Sequence, residues 1–254
     1  MPTTTLAHRS FSAPASAAAS ASASALPPVV LLHGFAASGD EDFIATGWPE
    51  SLIAAGRSVE VVDLPGHGRS AGVSGDAATT AAVVATLAGV LTGFNAGDGV
   101  DLVGYSLGAR LAWELPVATG RVRRLVLGGL SPFEPFAAVD VDAVARAASD
   151  ASAAADPGAD PLVAMMAAMV SAPGRDTASL LALMAGLGSQ PFDPAAGLPA
   201  VPTLIAAGAD DVMTSGLEAV AATLPDAVFV RVPGDHRGAL DSTAFRDAAI
   251  RFLA

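Results

Sequence analysis

The stretch Val100-Asp101-Leu102-Val103-Gly104-Tyr105-Ser106-Leu107-Gly108-Ala109-Arg110-Leu111-Ala112-Trp113 carries three signals in succession. An apolar run of strand length comes first, then Gly-x-Ser-x-Gly, then a segment with helical spacing. A serine between a strand and a helix sits on a strained turn that lifts its hydroxyl above the sheet edge. The five-residue pattern is not specific by itself, and the chain holds a second copy, Gly68-Arg69-Ser70-Ala71-Gly72. That copy follows Pro65-Gly66-His67 and runs on into Gly72 and Gly75, the composition of a loop. Ser106 is therefore the candidate nucleophile, and Ser70 reads as a loop serine. The run 66–71 also matches a relaxed dinucleotide fingerprint. The glycines after it interrupt the helix that a pyrophosphate needs, so it reads as a tight turn.

On both sides of the elbow the chain alternates. Short β-rich runs at 29–32, 58–62, 100–103, 122–127, 202–206 and 227–232 are separated by helix-length segments at 43–55, 77–92, 107–118, 215–224 and 238–253. Runs apolar nearly throughout fit strands buried on both faces, so the pattern predicts an α/β fold with a doubly wound, mostly parallel sheet. Active sites in such sheets collect beyond the carboxyl ends of the strands. The interval 131–200 breaks the rhythm. It contains Ala-rich helical stretches interrupted by Pro157, Pro161, Pro173, Pro191 and Pro194, and it is too long for a connection. We read it as an inserted helical cap, with residues 28–130 and 201–254 forming the core. Residues 1–27 form a low-complexity segment, Ala/Ser-rich at 14–25, in which 6–12 can pair as an edge strand.

Composition removes several chemistries. All 13 basic residues are arginine, which excludes Schiff-base lysines and the phosphate loop that ends in Lys-Ser/Thr. Absence of cysteine excludes thiolate metal sites and cysteine nucleophiles, and it fits a cytoplasmic protein. Four histidines leave little scope for a metal, and no cofactor is implied. A net charge of −12 argues against nucleic acid as a partner. No apolar run reaches the roughly 18 residues of a membrane span. The 14–25 run lacks the Leu-rich centre of a secretory signal. Oligomeric state is left open.

A serine needs a base, and the base needs an orienting acid. His236 is the only histidine after Ser106, just past the 227–232 run, at the same sheet edge. The 202–206 run ends in Gly208-Ala209-Asp210-Asp211, which offers two carboxylates there. Either Asp210 or Asp211 can supply the acid. Gly34 in His33-Gly34-Phe35 permits a turn that exposes the Phe35 N–H; with the Leu107 N–H it forms the expected oxyanion hole. The order Ser106, Asp211, His236 is the chain order of α/β-hydrolase triads.

From about Val29 to the C-terminus the chain resembles the α/β-hydrolase superfamily. The motifs are His33-Gly34-Phe35, Asp63-Leu64-Pro65-Gly66-His67-Gly68-Arg69-Ser70, the Gly104–Gly108 elbow, Gly208–Asp211 and Gly234-Asp235-His236. The resemblance implies a Ser106–His236–Asp211 triad and a structural role for Asp63 and His67. Asp235 replaces the glycine that often precedes the histidine. Dehalogenases and epoxide hydrolases of this superfamily carry aspartate at the nucleophile position, so serine points to acyl transfer to water. The expected activity is that of a carboxylic ester hydrolase on a small, uncharged, largely apolar substrate. The elbow and the 63–70 segment also look similar to a menaquinone-pathway lyase that handles polyanionic substrates, but 131–200 offers only Arg146 and Arg175 against several aspartates. Cofactor-free perhydrolases and carbon–carbon bond hydrolases share the triad, and a non-catalytic binding protein on this scaffold is a further reading. Within the cap, Leu162, Met165, Met166 and Met169 recur at helical spacing, as do Leu180, Leu183, Met184 and Leu187. We expect Tyr105, Met165, Met166, Met169 and Met184 to line the substrate pocket.

Overall fold

The computed structural model describes residues 6–12, 26–94, 97, 99–150 and 160–254. The Ala/Ser-rich run 14–25 and Pro157 lie outside them. The strands are β1 (His8–Phe11), β2 (Val29–Leu32), β3 (Val59–Val62), β4 (Val100–Tyr105), β5 (Val122–Gly128), β6 (Thr203–Gly208) and β7 (Ala227–Val232). They form one sheet in the order β1-β3-β2-β4-β5-β6-β7, parallel except for β1, which pairs antiparallel with β3. The 6–12 segment thus supplies the expected edge strand.

Both faces of the central strands are covered, and alternate residues divide between two apolar cores. Val30, Leu32, Leu102, Leu125, Leu127 and Ile205 face one core. Val29, Leu31, Val103, Tyr105, Val126 and Leu204 face the other. This period of two explains why the strands read as unbroken apolar runs. Helices α1 (Trp48–Ala54) and α10 (Thr243–Leu253) bury Trp48, Leu52, Phe245 and Ala249 on the second face. Helices α2 (Thr80–Gly93), α3 (Leu107–Ala112), α4 (Leu115–Thr119) and α8 (Leu217–Ala221) pack on the first. At the amino end of β4 the buried pair Arg57–Asp101 closes at 2.5 Å, and Arg57 also donates to the carbonyls of Pro27 and Leu253. A buried guanidinium held by a carboxylate and two carbonyls is a fastening of the sheet's far edge, away from Ser106.

Three expected helices are each divided, and each break has a local cause. Residues 43–55 become a π-helical turn (Asp40–Ile44) and α1, separated by Gly47 at φ +79°. Residues 107–118 split before Pro116, which has no N–H to continue the ladder. Residues 238–253 split into α9 (His236–Asp241) and α10 because the Ser242 hydroxyl caps the Phe245 N–H.

Among its described residues, 131–200 contains helices and no strand: a 3₁₀ turn (Pro135–Ala138), α5 (Val141–Ser149), α6 (Pro161–Val170) and α7 (Thr177–Ser189). Asp140, Asp160 and Asp176 each cap one of these helices by accepting a backbone N–H. Acidic residues in this interval therefore set helix starts. Val144, Met166, Val170, Leu180, Leu183, Met184 and Leu187 join the first core, so the interval is packed onto the sheet's helices.

Candidate active site

Strand β4 delivers Ser106 at φ 53°, ψ −115°, a backbone conformation that few non-glycine residues adopt. The turn that enforces it is tight. A Cβ on Gly104 would lie 2.4 Å from the Gly108 carbonyl oxygen, and one on Gly108 would lie 2.0 Å from that of Leu32. Both glycines of the Gly-x-Ser-x-Gly pattern are thus required by backbone approach. The Ser106 N–H donates to the Gly128 carbonyl of β5 at 2.9 Å, which fixes the elbow to its neighbour.

Three side chains meet at this edge. His236 Nε2 lies 3.0 Å from Ser106 Oγ, and His236 Nδ1 lies 2.7 Å from Asp211 Oδ2. An ionised carboxylate only accepts, so Nδ1 carries the ring proton and Nε2 is free to accept from the Ser106 hydroxyl. Asp211 is 6% exposed and also accepts the Met213 N–H, whereas Asp210 is exposed. The two loops that carry Asp211 and His236 are joined: the Ala209 N–H donates to Val232 O and the Asp210 N–H to Gly234 O. Gly208 is needed here, since a Cβ would sit 2.5 Å from Gly234 O. Asp235, the departure from the usual glycine, caps α9 through the Gly238 N–H, and His236 begins that helix.

The expected oxyanion donor Phe35 follows β2. Gly34 lies against Ser106, and a Cβ placed on it would be 3.4 Å from Ser106 Cβ. Its N–H donates to Asp42 Oδ2 at 2.8 Å, which sets the turn that presents Phe35. Among the described residues, the Phe35 and Leu107 N–H groups take no part in turn, loop or cap hydrogen bonds within the chain. Leu107 is the first residue of α3, where an N–H has no intrahelical acceptor.

The loop histidines have a different role. Leu64 N–H donates to His33 Nε2 and His33 Nδ1 bonds the Gly34 carbonyl, so the ring is a neutral bridge between two turns. Burial lowers its pKa. His67 repeats the arrangement between Ala36 N–H and Pro65 O; burial, then neighbouring His33, brings it down to about 3. Asp63 accepts the N–H groups of Gly39 and Arg69, and Ser70 donates to Asp63 O. These residues hold loops, and Ser70 has no access to the Ser106 site.

A cavity of about 430 Å³ opens beside Ser106 and His236. Phe35, Tyr105 and Leu107 line it from the sheet side, Phe133, Phe136 and Val139 from the wall, and Leu162, Met165, Met166 and Met169 from α6. Four of the five expected pocket residues are there. Met184 is the correction: it is fully buried in the first core with Leu180, Leu183 and Leu187 and does not reach the cavity. The stripe on α7 is a packing face, which sequence spacing does not distinguish from a pocket lining. Tyr105 has a further contact, as its hydroxyl donates to the His236 carbonyl at 2.5 Å. Burial raises its pKa and keeps that donor protonated.

Sequence reasoning did not single out Asp42, Ser131, Phe133, Arg237 or the Arg110–Glu134 pair, which also line the cavity. Arg110 donates to Glu134 and Glu114, and Arg237 pairs with Asp42 and Asp241. Arg110–Glu114 and Arg237–Asp241 are local i,i+4 pairs, but Arg110–Glu134 and Arg237–Asp42 join residues distant in sequence, so no local pattern places these groups at the cavity.

The chain belongs to the alpha/beta hydrolase family, whose model matches residues 29–248. Over 88 residues it is 42% identical to the 2-succinyl-6-hydroxy-2,4-cyclohexadiene-1-carboxylate synthase of Escherichia coli O7:K1; the match covers 34% of this chain and 31% of that relative's length. The enol-lactonase from Burkholderia xenovorans LB400 superposes with a TM-score of 0.73 at 18% identity, over 98% of this chain and 96% of that one. A thermophilic esterase from Thermogutta terrifontis gives 0.72 at 22% identity, over 98% and 95%. At these identities the two structures share the fold with this chain.

Proposed function

We propose that the chain is a serine hydrolase that cleaves an ester, or a related acyl bond, of a small uncharged substrate. The observation that carries this reading is the Asp211–His236–Ser106 line, with contacts of 2.7 and 3.0 Å. His236 takes the Ser106 proton as Oγ attacks the acyl carbonyl; the Phe35 and Leu107 N–H groups receive the negative charge on the carbonyl oxygen. His236 then returns the proton to the leaving alcohol, and an acyl-Ser106 ester remains. Water, deprotonated by His236, attacks that ester and releases the acid and free Ser106.

The cavity supports an uncharged acyl group. Its two arginines, Arg110 and Arg237, are each paired with carboxylates, and Asp42 and Glu134 balance them in charge. Aryl esters of increasing acyl length test this. Turnover should peak at a medium chain and be far lower for a monoester of a dicarboxylic acid. A second reading, a lyase like the E. coli synthase, rests on the 88-residue similarity. That enzyme's name describes a carboxylate with a succinyl arm. Preference for the dicarboxylate monoester would favour that reading and sink ours.

A further inference from the structure

Ser131 lies three residues beyond Gly128, whose carbonyl accepts the Ser106 N–H, and it lines the catalytic cavity. The residue is 7% exposed, yet among the described residues its Oγ has no hydrogen-bond partner in the chain. No other residue on the cavity wall has such an orphaned side-chain atom among the described residues.

The neighbouring polar groups are already engaged. Glu134 accepts from Arg110 Nε and from the N–H groups of Phe136 and Phe192. The Tyr105 hydroxyl is committed to the His236 carbonyl. The Ser131 Oγ is closed off from the cavity, and a turn about its Cα–Cβ bond to another staggered position would present it to the space that the residue lines. A buried hydroxyl left unmatched forfeits its hydration with nothing in return. The partner such a turn would offer is whatever occupies the cavity.

We infer that Ser131 is a polar subsite for a neutral hydrogen-bonding group, a ketone, hydroxyl or amide carbonyl, on the substrate's acyl portion. The inference deepens the ester-hydrolase reading and rests on it. In an apolar chamber with balanced charges, one free hydroxyl selects for a single neutral oxygen and against none of the alkyl surface. A plain alkyl chain leaves the hydroxyl unmatched, whereas an acyl chain with an oxygen at the right carbon satisfies it.

The test uses 4-nitrophenyl esters of linear acids and of their keto analogues, with the oxygen moved along successive carbons. The wild-type protein should prefer the keto ester at one position by about tenfold in kcat/KM, the size of a neutral hydrogen bond. Ser131→Ala should bring that keto-to-alkyl ratio near one, and Ser131→Thr, which keeps the hydroxyl, should retain a preference. Ser131→Ala should also melt no lower than wild type, because the hydroxyl it removes has no partner in the chain. Turnover with no preferred oxygen position, a preference that survives Ser131→Ala, or a fall of several degrees in Tm each overturns the subsite alone. Absence of turnover on every ester, alkyl ones included, overturns the hydrolase reading and the subsite with it.

Discussion

One carboxylate oxygen of Asp42 accepts the Gly34 N–H at 2.8 Å, while the other meets Arg237 Nη1 at 2.5 Å. Gly34 precedes the expected oxyanion donor and Arg237 follows the expected base, so Asp42 connects the two halves of the site. It stands on a π-helical turn, a geometry that recurs at functional sites. Its burial makes both contacts firm.

Removing this connection should misplace a donor without removing it. Asp42→Ala is expected to lower kcat by about 10²-fold, in the range seen when one oxyanion donor is lost. KM should change little. Asp42→Asn keeps an acceptor for Gly34 and should fall between the two. Steady-state kinetics on one aryl ester checks this, and an unchanged kcat in Asp42→Ala would remove Asp42 from the site.

The choice between adjacent aspartates is also open to measurement. Asp211→Asn replaces the acceptor of the His236 Nδ1 proton and should cost about 10⁴ in kcat, as the same change does in serine proteases. Asp210 is exposed, and its backbone N–H rather than its carboxylate holds the loop. Asp210→Asn should stay within about tenfold of wild type. The reverse pattern of kcat values would move the role to Asp210.

How much of this was readable in advance follows from the range of the interactions. The elbow was legible because strand, serine and glycines occupy one continuous stretch, and its glycines are required by contacts at Leu32 and Gly108. The parallel sheet was legible because burial on both faces leaves runs such as Val29–Leu32 wholly apolar. Met165, Met166 and Met169 could not be told from Met184 by spacing, since both stripes are helical and only tertiary packing decides which faces the cavity. Asp42 and Ser131 gave no signal, because their meaning depends on partners brought together by the fold.

Backbone approach at the elbow predicts a stability effect. In Gly108→Ala the new Cβ would press on the Leu32 carbonyl, a strand atom that cannot turn aside. Overpacking of this kind costs at least about 1–3 kcal/mol. A thermal melt should show a large fall in Tm or no soluble protein, and a variant as stable as wild type would mean the elbow is looser than its glycine contacts imply.

The buried loop histidines predict a pH dependence of stability. His67 titrates at about 3 when folded against an ordinary value of 6.5, so the unfolded chain binds more protons between these values. Stability is therefore complete above pH 6.5 and declines as the pH falls toward 3. His33, also lowered, acts in the same direction. Between pH 6 and 5, where most carboxylates remain ionised, His67 should contribute a slope approaching about 1.4 kcal/mol per pH unit. His67→Gln keeps an acceptor but cannot titrate, and urea melts at pH 5 and pH 7 should differ less for it than for wild type. An equal difference would show that His67 does not drive the loss.

The central claim is that Ser106 is a nucleophile activated by His236, and covalent labelling tests it most directly. The protein is treated with a fluorophosphonate and the adduct is located by peptide mass spectrometry. One adduct on Ser106 is expected, absent in Ser106→Ala and formed at least about 10³-fold more slowly in His236→Ala. No adduct, an adduct on another serine such as Ser70, or labelling of Ser106 at an undiminished rate in His236→Ala would contradict the claim.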